Sequence, residues 1–174
     1  PDMAALLGSN TMTRGRVAVL LNADPPDHRR QRKLVNPAFR PDRIRAMEPT
    51  ITEVALKLLE GVKADLRANG QTDILRTFTV GVPMTIIAIA LGVAGEDLAT
   101  FKRWSDDIVM PVGNHSPSVE QVRGFLISTK EFTEYFLGQI AARKAQPTGD
   151  LLCDIANAKI DGEELTDDEQ LGML

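Results

Sequence analysis

The sequence predicts an all-α fold, and three observations carry the prediction. Apolar residues recur every three or four positions in nearly every periodic segment, the spacing of a helix with one buried face. No clear run alternates with the period of two that a half-buried strand requires. Stop signals such as Asn69-Gly70, Pro111 with Gly113, and Pro147 fall at the ends of these segments, where helices end.

In chain order, the first helix is expected over about 25–36, with Asp24 as its cap and Pro25 at its first position, where a missing N–H costs nothing. Ile44, Met47, Ile51, Val54, Leu58, Val62 and Leu66 describe one long amphipathic helix over about 42–68, stopped by Asn69-Gly70. The next, about 79–92, carries Ile86, Ile87, Ile89, Ala90 and Leu91. It is apolar all round and is therefore expected inside the protein. Leu98, Phe101 and Ile108 stripe a helix over about 95–109, with Trp104 and Ser105 between them.

Ser118 and Gln121 have the spacing of a capping box. They open a helix over about 118–145 that places Val122, Phe125, Leu126, Thr129, Phe132, Phe136 and Ile140 on one face. Arg143 and Lys144 sit in its last turn, where the helix dipole favours cations. A short helix is expected over about 150–158, then a tight turn at Ile160-Asp161-Gly162-Glu163. Thr166, with Glu169 three residues on, starts a last helix over about 166–174. So short a helix is marginal alone. With Pro1 standing where an initiator methionine would, it reads as the end of a truncated domain.

Composition narrows the class. The chain has 174 residues, enough for one domain with a core and too few to argue for two. A net charge of -4 disfavours a dedicated nucleic-acid binder. The single cysteine, Cys153, leaves no internal disulfide framework and fits a cytoplasmic protein. The most apolar stretch, Val80 to Val93, is broken by Gly81, Pro83, Thr85 and Gly92, so it reads as a buried helix rather than a bilayer span. Two distant histidines, His28 and His115, with no cysteine pair, make no metal site of their own. Gly92-Val93-Ala94-Gly95 lacks the spacing of a phosphate loop.

The most informative stretch is Asp24-Pro25-Pro26-Asp27-His28-Arg29-Arg30-Gln31-Arg32. His28 and Arg32 lie four residues apart, hence on one helix face and one turn apart. An imidazole and a guanidinium so placed can hold a pair of carboxylates through charge-assisted hydrogen bonds. Spacing alone also allows a solvated basic helix face. The same holds for Arg29, Arg30 and Lys33, part of a basic run to Arg45 in which Asp42 is the sole acid.

This stretch resembles the start of helix C in bacterial-type cytochromes P450. In that family the histidine and the arginine four residues later bind the haem propionates. Other segments are similar in the same order. Val35-Asn36-Pro37-Ala38-Phe39-Arg40-Pro41 resembles the step from helix C into helix D. Pro83 to Val93 resembles helix E, and Glu96 to Val109, with Trp104-Ser105-Asp106-Asp107, resembles helix F. Gly149-Asp150-Leu151-Leu152 resembles helix H, and Asp161 to Glu169 the approach to helix I. On this likeness the elements above are helices C, D, E, F, G, H and the start of I in a partial P450 domain over 1–174.

The resemblance implies a haem b monooxygenase that inserts one oxygen atom from dioxygen into a small organic substrate. Its electrons would come from a ferredoxin or flavodoxin-type donor. It assigns His28 and Arg32 to the propionates, and Arg29, Arg30 and Lys33 to the face that meets the donor. Met110 and Val112, in the connection between helices F and G, would line the substrate pocket, although ordinary loop packing explains them as well. The family's Ala-Gly-x-x-Thr pattern and its cysteine ligand loop are not in these 174 residues. Cys153 lacks the flanking glycines of that loop and reads as a small buried side chain. No catalytic residue is therefore expected in this chain, which alone should not catalyse oxygenation. The rival reading is a non-enzymatic all-α ligand-binding or regulatory module.

Overall fold

The computed structural model describes residues 20, 23–93, 95–111, 114, 116–160 and 162–174. The first complete helix, α1, is Asp27–Val35. It starts later than the expected Pro25, and no side chain caps it: Pro26 occupies the N-cap position. A proline disfavours helical geometry in the residue before it, so the helix opens after the second proline. Asp24 contributes its backbone carbonyl, which accepts the His28 N–H at 3.0 Å.

A 3-10 turn, Asn36–Phe39, leads to α2, Pro41–Ala46, and α3, Glu48–Asn69. The single helix expected over 42–68 is thus two, broken at Met47. Pro49 lies in the first turn of α3. In a continuous helix its ring would meet the carbonyl four residues back, and it has no N–H to donate there. At the other end Gly70, with φ 70°, donates its N–H to the Leu66 carbonyl at 3.0 Å.

After one π turn, Leu75–Thr79, comes α4, Gly81–Ala90. Only part of it lies inside. Ala88 is fully buried, whereas Ile87 is 53% and Ile89 43% exposed. Its neighbours α3, the π turn and α5, Leu98–Val109, cover one side. The apolar pattern alone could not show that the other side has no cover among the described residues.

Helix α6, Val119–Ala145, is the longest described element and carries the expected capping box. The Gln121 N–H donates to Ser118 Oγ at 3.2 Å, and Gln121 Oε1 accepts the Ser118 N–H at 2.9 Å. Then follow α7, Leu151–Ala156, capped by Asp150, and a two-residue antiparallel hairpin of β1, Lys159–Ile160, and β2, Glu163–Glu164. Helix α8, Asp167–Leu171, closes the chain with a second capping box between Thr166 and Glu169. Apart from that hairpin the described residues are helical or irregular, so the fold is all-α as the periodicity predicts.

The core lies between α4, α5, α6 and α7. Ala88, Leu91, Phe101, Trp104, Phe136, Ile140 and Leu152 are buried together. Trp104 was not on the predicted stripe, yet it is buried edge-on to Phe132 at 6.2 Å between ring centroids. Its Nε1–H donates to Glu131 Oε2 at 2.8 Å, which satisfies the one polar atom its burial would otherwise strand. Arg103 also pairs with Glu131 and donates to Ser128 Oγ, clamping α5 along α6.

Three elements meet at Arg143. Its place in the last turn of α6, where the helix dipole favours cations, does not by itself require the burial seen here. Its guanidinium pairs with Asp150 at 2.8 Å and donates to Gln139 Oε1 at 2.6 Å and to the Gly92 carbonyl at 3.3 Å. Gly92 turns the chain out of α4 with φ 68°, and a Cβ there would lie 2.0 Å from Arg143 Nη2 and 2.6 Å from Asp150 Oδ2. Both the backbone angle and the close approach therefore exclude a side chain. Burial pushes the Asp150 carboxyl up, but the Arg143 guanidinium, the Cys153 N–H and Thr148 outweigh it and hold Asp150 below its ordinary value near 3.8.

Two outcomes are expected. Gly92→Ala should lower stability to urea by more than about 2 kcal/mol, since left-handed strain of about 1–2 kcal/mol adds to a displaced buried ion pair. A loss below about 0.5 kcal/mol would contradict this joint. Because the folded pKa of Asp150 is depressed, its contribution is fully present above the unfolded value and is lost as pH falls through the folded one. Acid titration of unfolding should show a shallower decline below about pH 4 in Asp150→Asn than in the parent.

Candidate functional site

Helix α1 displays four different surfaces. Gln31 and Val35 are buried and fix which side faces the protein. His28 is half-buried and Arg32 exposed on one flank of that buried side. Residues four apart differ by roughly 40° about the axis, so the two side chains share this flank one turn apart. Arg29 and Lys33, also four apart, are exposed and share the outward surface. Arg30 is placed roughly 200° from Arg32, on the remaining flank. There its Nη1 pairs with Glu169 Oε1 of α8 at 3.7 Å.

The structure therefore separates residues that the sequence grouped. Of the three cations assigned to one docking face, Arg30 is held by an acid of the same chain. Among the described residues, Arg29 and Lys33 form no ion pair. His28 and Arg32 likewise make no side-chain hydrogen bond or ion pair among the described residues. A shallow surface hollow of about 610 Å³ at the α2–α3 junction is lined by Arg45, Glu48, Pro49, Thr52, Glu53 and Leu56, and includes neither His28 nor Arg32. Two unengaged nitrogen groups one turn apart suit a ligand with two carboxylates, each of which would form a charge-assisted hydrogen bond.

Met110, just after α5, is half-buried, and its sulfur receives the Asn114 Nδ2–H group at 3.7 Å. Val112 lies outside the described residues. Cys153 is buried on α7, where its Sγ accepts the Thr148 N–H at 3.2 Å. That placement makes it part of the loop into α7 and of the core beside it. Among the described residues, no three His, Cys, Asp or Glu side chains are grouped to hold a metal ion. No described helix is long and apolar enough to cross a membrane.

Residues 4–146 match the family described as Cytochrome P450. The chain belongs to the cytochrome P450 family. It is 31% identical over 169 residues to a steroid C26-monooxygenase of Mycobacterium tuberculosis, a match covering 97% of this chain and 44% of that protein. It is 31% identical over 158 residues to a vitamin D(3) 25-hydroxylase of Pseudonocardia autotrophica, covering 89% of this chain and 36% of that one. The cytochrome P450 hydroxylase LnmA, from the leinamycin biosynthetic pathway of Streptomyces atroolivaceus, superimposes with a TM-score of 0.76 at 31% identity. That match covers 90% of this chain and 38% of LnmA. The chain thus spans about two fifths of the length of the P450s it matches. The P450 cofactor is haem b, which carries two propionates.

The Arg30 assignment has a direct check. In the full-length P450, binding of an acidic redox protein should slow several-fold when Arg29 and Lys33 are both changed to Glu, with the difference shrinking as salt rises. Arg30→Gln should change that rate less than twofold. An Arg30→Gln effect as large as the double reversal would return Arg30 to the outward face.

Proposed function

We propose that the full-length protein is a haem-thiolate monooxygenase that inserts one oxygen atom from dioxygen into a small organic substrate. The observation that supports this most is the unengaged His28–Arg32 pair on one flank of α1, inside the region that matches the P450 family. Haem, when bound, supplies the iron at which dioxygen is activated, and a cysteine thiolate on that iron favours cleavage of the oxygen–oxygen bond. In this chain His28 and Arg32 donate hydrogen bonds to the propionates and so set the position of the porphyrin edge. Burial of Gln31 and Val35 orients α1 so that both donors stand on the same flank.

Arg29 and Lys33 form the face that attracts an acidic ferredoxin or flavodoxin-type electron donor. Such exposed charges act on the rate of encounter more than on final affinity. Met110 borders the substrate roof, and its flexible, polarisable side chain suits an irregular apolar substrate. The relatives named for steroid and vitamin D(3) oxidation favour an apolar, multi-ring substrate class. In this reading the elements bear the family letters: α1 is helix C, α2 and α3 form helix D, and α4 to α8 are helices E to I.

Reduction of the full-length protein under carbon monoxide should give the long-wavelength Soret band of thiolate-ligated haem. A well-folded protein without that band would favour a non-enzymatic helical module. Arg32→Ala should weaken haem retention on dialysis, by about tenfold in dissociation constant for loss of a hydrogen bond to a charged group. Unchanged occupancy would remove Arg32 from the propionate site.

A further inference from the structure

Glu169 belongs to two structures at once. Its Oε2 accepts the Thr166 N–H at 2.9 Å and the Thr166 hydroxyl at 3.1 Å, closing the capping box of α8. Its Oε1 faces Arg30 Nη1 at 3.7 Å, and its side chain is only 16% exposed. One carboxylate therefore joins the start of α8 to α1, the helix that bears His28 and Arg32. The cap holds the carboxylate in place before Arg30 reaches it, so the ion pair spends little additional side-chain entropy on the acidic side.

Geometry gives this link a specific consequence. Arg30 and Arg32 project from nearly opposite flanks of α1, since two residues turn roughly 200° about a helix axis. Gln31 and Val35 form the buried side between those flanks. A helix anchored on its buried side alone can still roll, and a tether on one flank limits that roll. We propose that Glu169 is a positioning residue for the haem-propionate donors: by holding Arg30 it fixes the rotation of α1 that presents His28 and Arg32 on the opposite flank. This rests on the propionate reading above.

The test uses the haem-loaded full-length protein and follows haem transfer to excess apomyoglobin by absorbance. Glu169→Gln is the informative change, because glutamine still closes a capping box while losing the charge. Glu169→Gln and Arg30→Gln should each speed haem loss about two- to fivefold, within the range open to a partly exposed ion pair. The double variant should be no faster than either single, and Arg30→Lys should retain the parent rate. About 1 M salt should bring the parent to the variants' rate. When Arg32 is already Gln, Glu169→Gln should add less than it does in the parent, an interaction that a merely stabilising contact would not produce. Parent-like haem loss in Glu169→Gln, or effects that multiply in the double variant, would overturn the tether. If instead Arg32→Gln itself leaves haem loss unchanged, the propionate reading fails, whatever Glu169 does.

Discussion

The buried guanidinium of Arg143 is the interaction on which the helical frame depends. It sits where the end of α6, the turn out of α4 and the cap of α7 converge, and it bonds to all three. Removing Asp150, its charged partner, would leave a nearly buried guanidinium uncompensated, which is far more costly than losing a surface pair. Gly92 is constrained from both sides by this arrangement, because its left-handed backbone turns the chain and its missing Cβ makes room for the guanidinium. The aromatic cluster of Phe101, Trp104, Phe132, Tyr135 and Phe136 then fills the space between α5 and α6 with tilted and edge-on contacts.

Much of this was legible in the residues, for reasons that differ by element. Helix α6 was plain because its start is written in Ser118 and Gln121, its buried face in a long apolar stripe, and its end in Gln146-Pro147. Local signals sufficed there. The break at Met47 was hidden because the apolar stripe runs on at helical spacing through Ile44, Met47 and Ile51, while Pro49 was the only sign of an interruption. The burial of Trp104 is not visible locally, because its one polar atom needs Glu131, which is 27 positions away. The burial of Arg143 is hidden for the same reason: its acceptors at Gly92 and Asp150 come together only in the folded chain. The degree to which α4 is covered likewise depends on neighbours and not on its own composition.

The site shows the same division. Spacing alone placed His28 and Arg32 on one flank, since that follows from helix geometry. The grouping of Arg29, Arg30 and Lys33 followed charge and not rotation, and the ion pair of Arg30 with Glu169 separates them. Helix α1 emerges as a part with four assignments by angle: an inward side that seats it, an outward side with two cations, and two flanks, one tethered and one that makes no side-chain hydrogen bond or ion pair among the described residues. The proposed division of labour between cofactor, electron donor and internal tether is a division of directions around a single short helix.

The most direct test of that account compares haem with its dimethyl ester, which retains the macrocycle and removes both propionate charges. The full-length protein should bind haem at least about tenfold more tightly than the diester, as expected for two charge-assisted hydrogen bonds. The preference should fall sharply when His28 and Arg32 are both replaced by Ala. Equal affinity for the two porphyrins, or a preference that survives the double replacement, would contradict it.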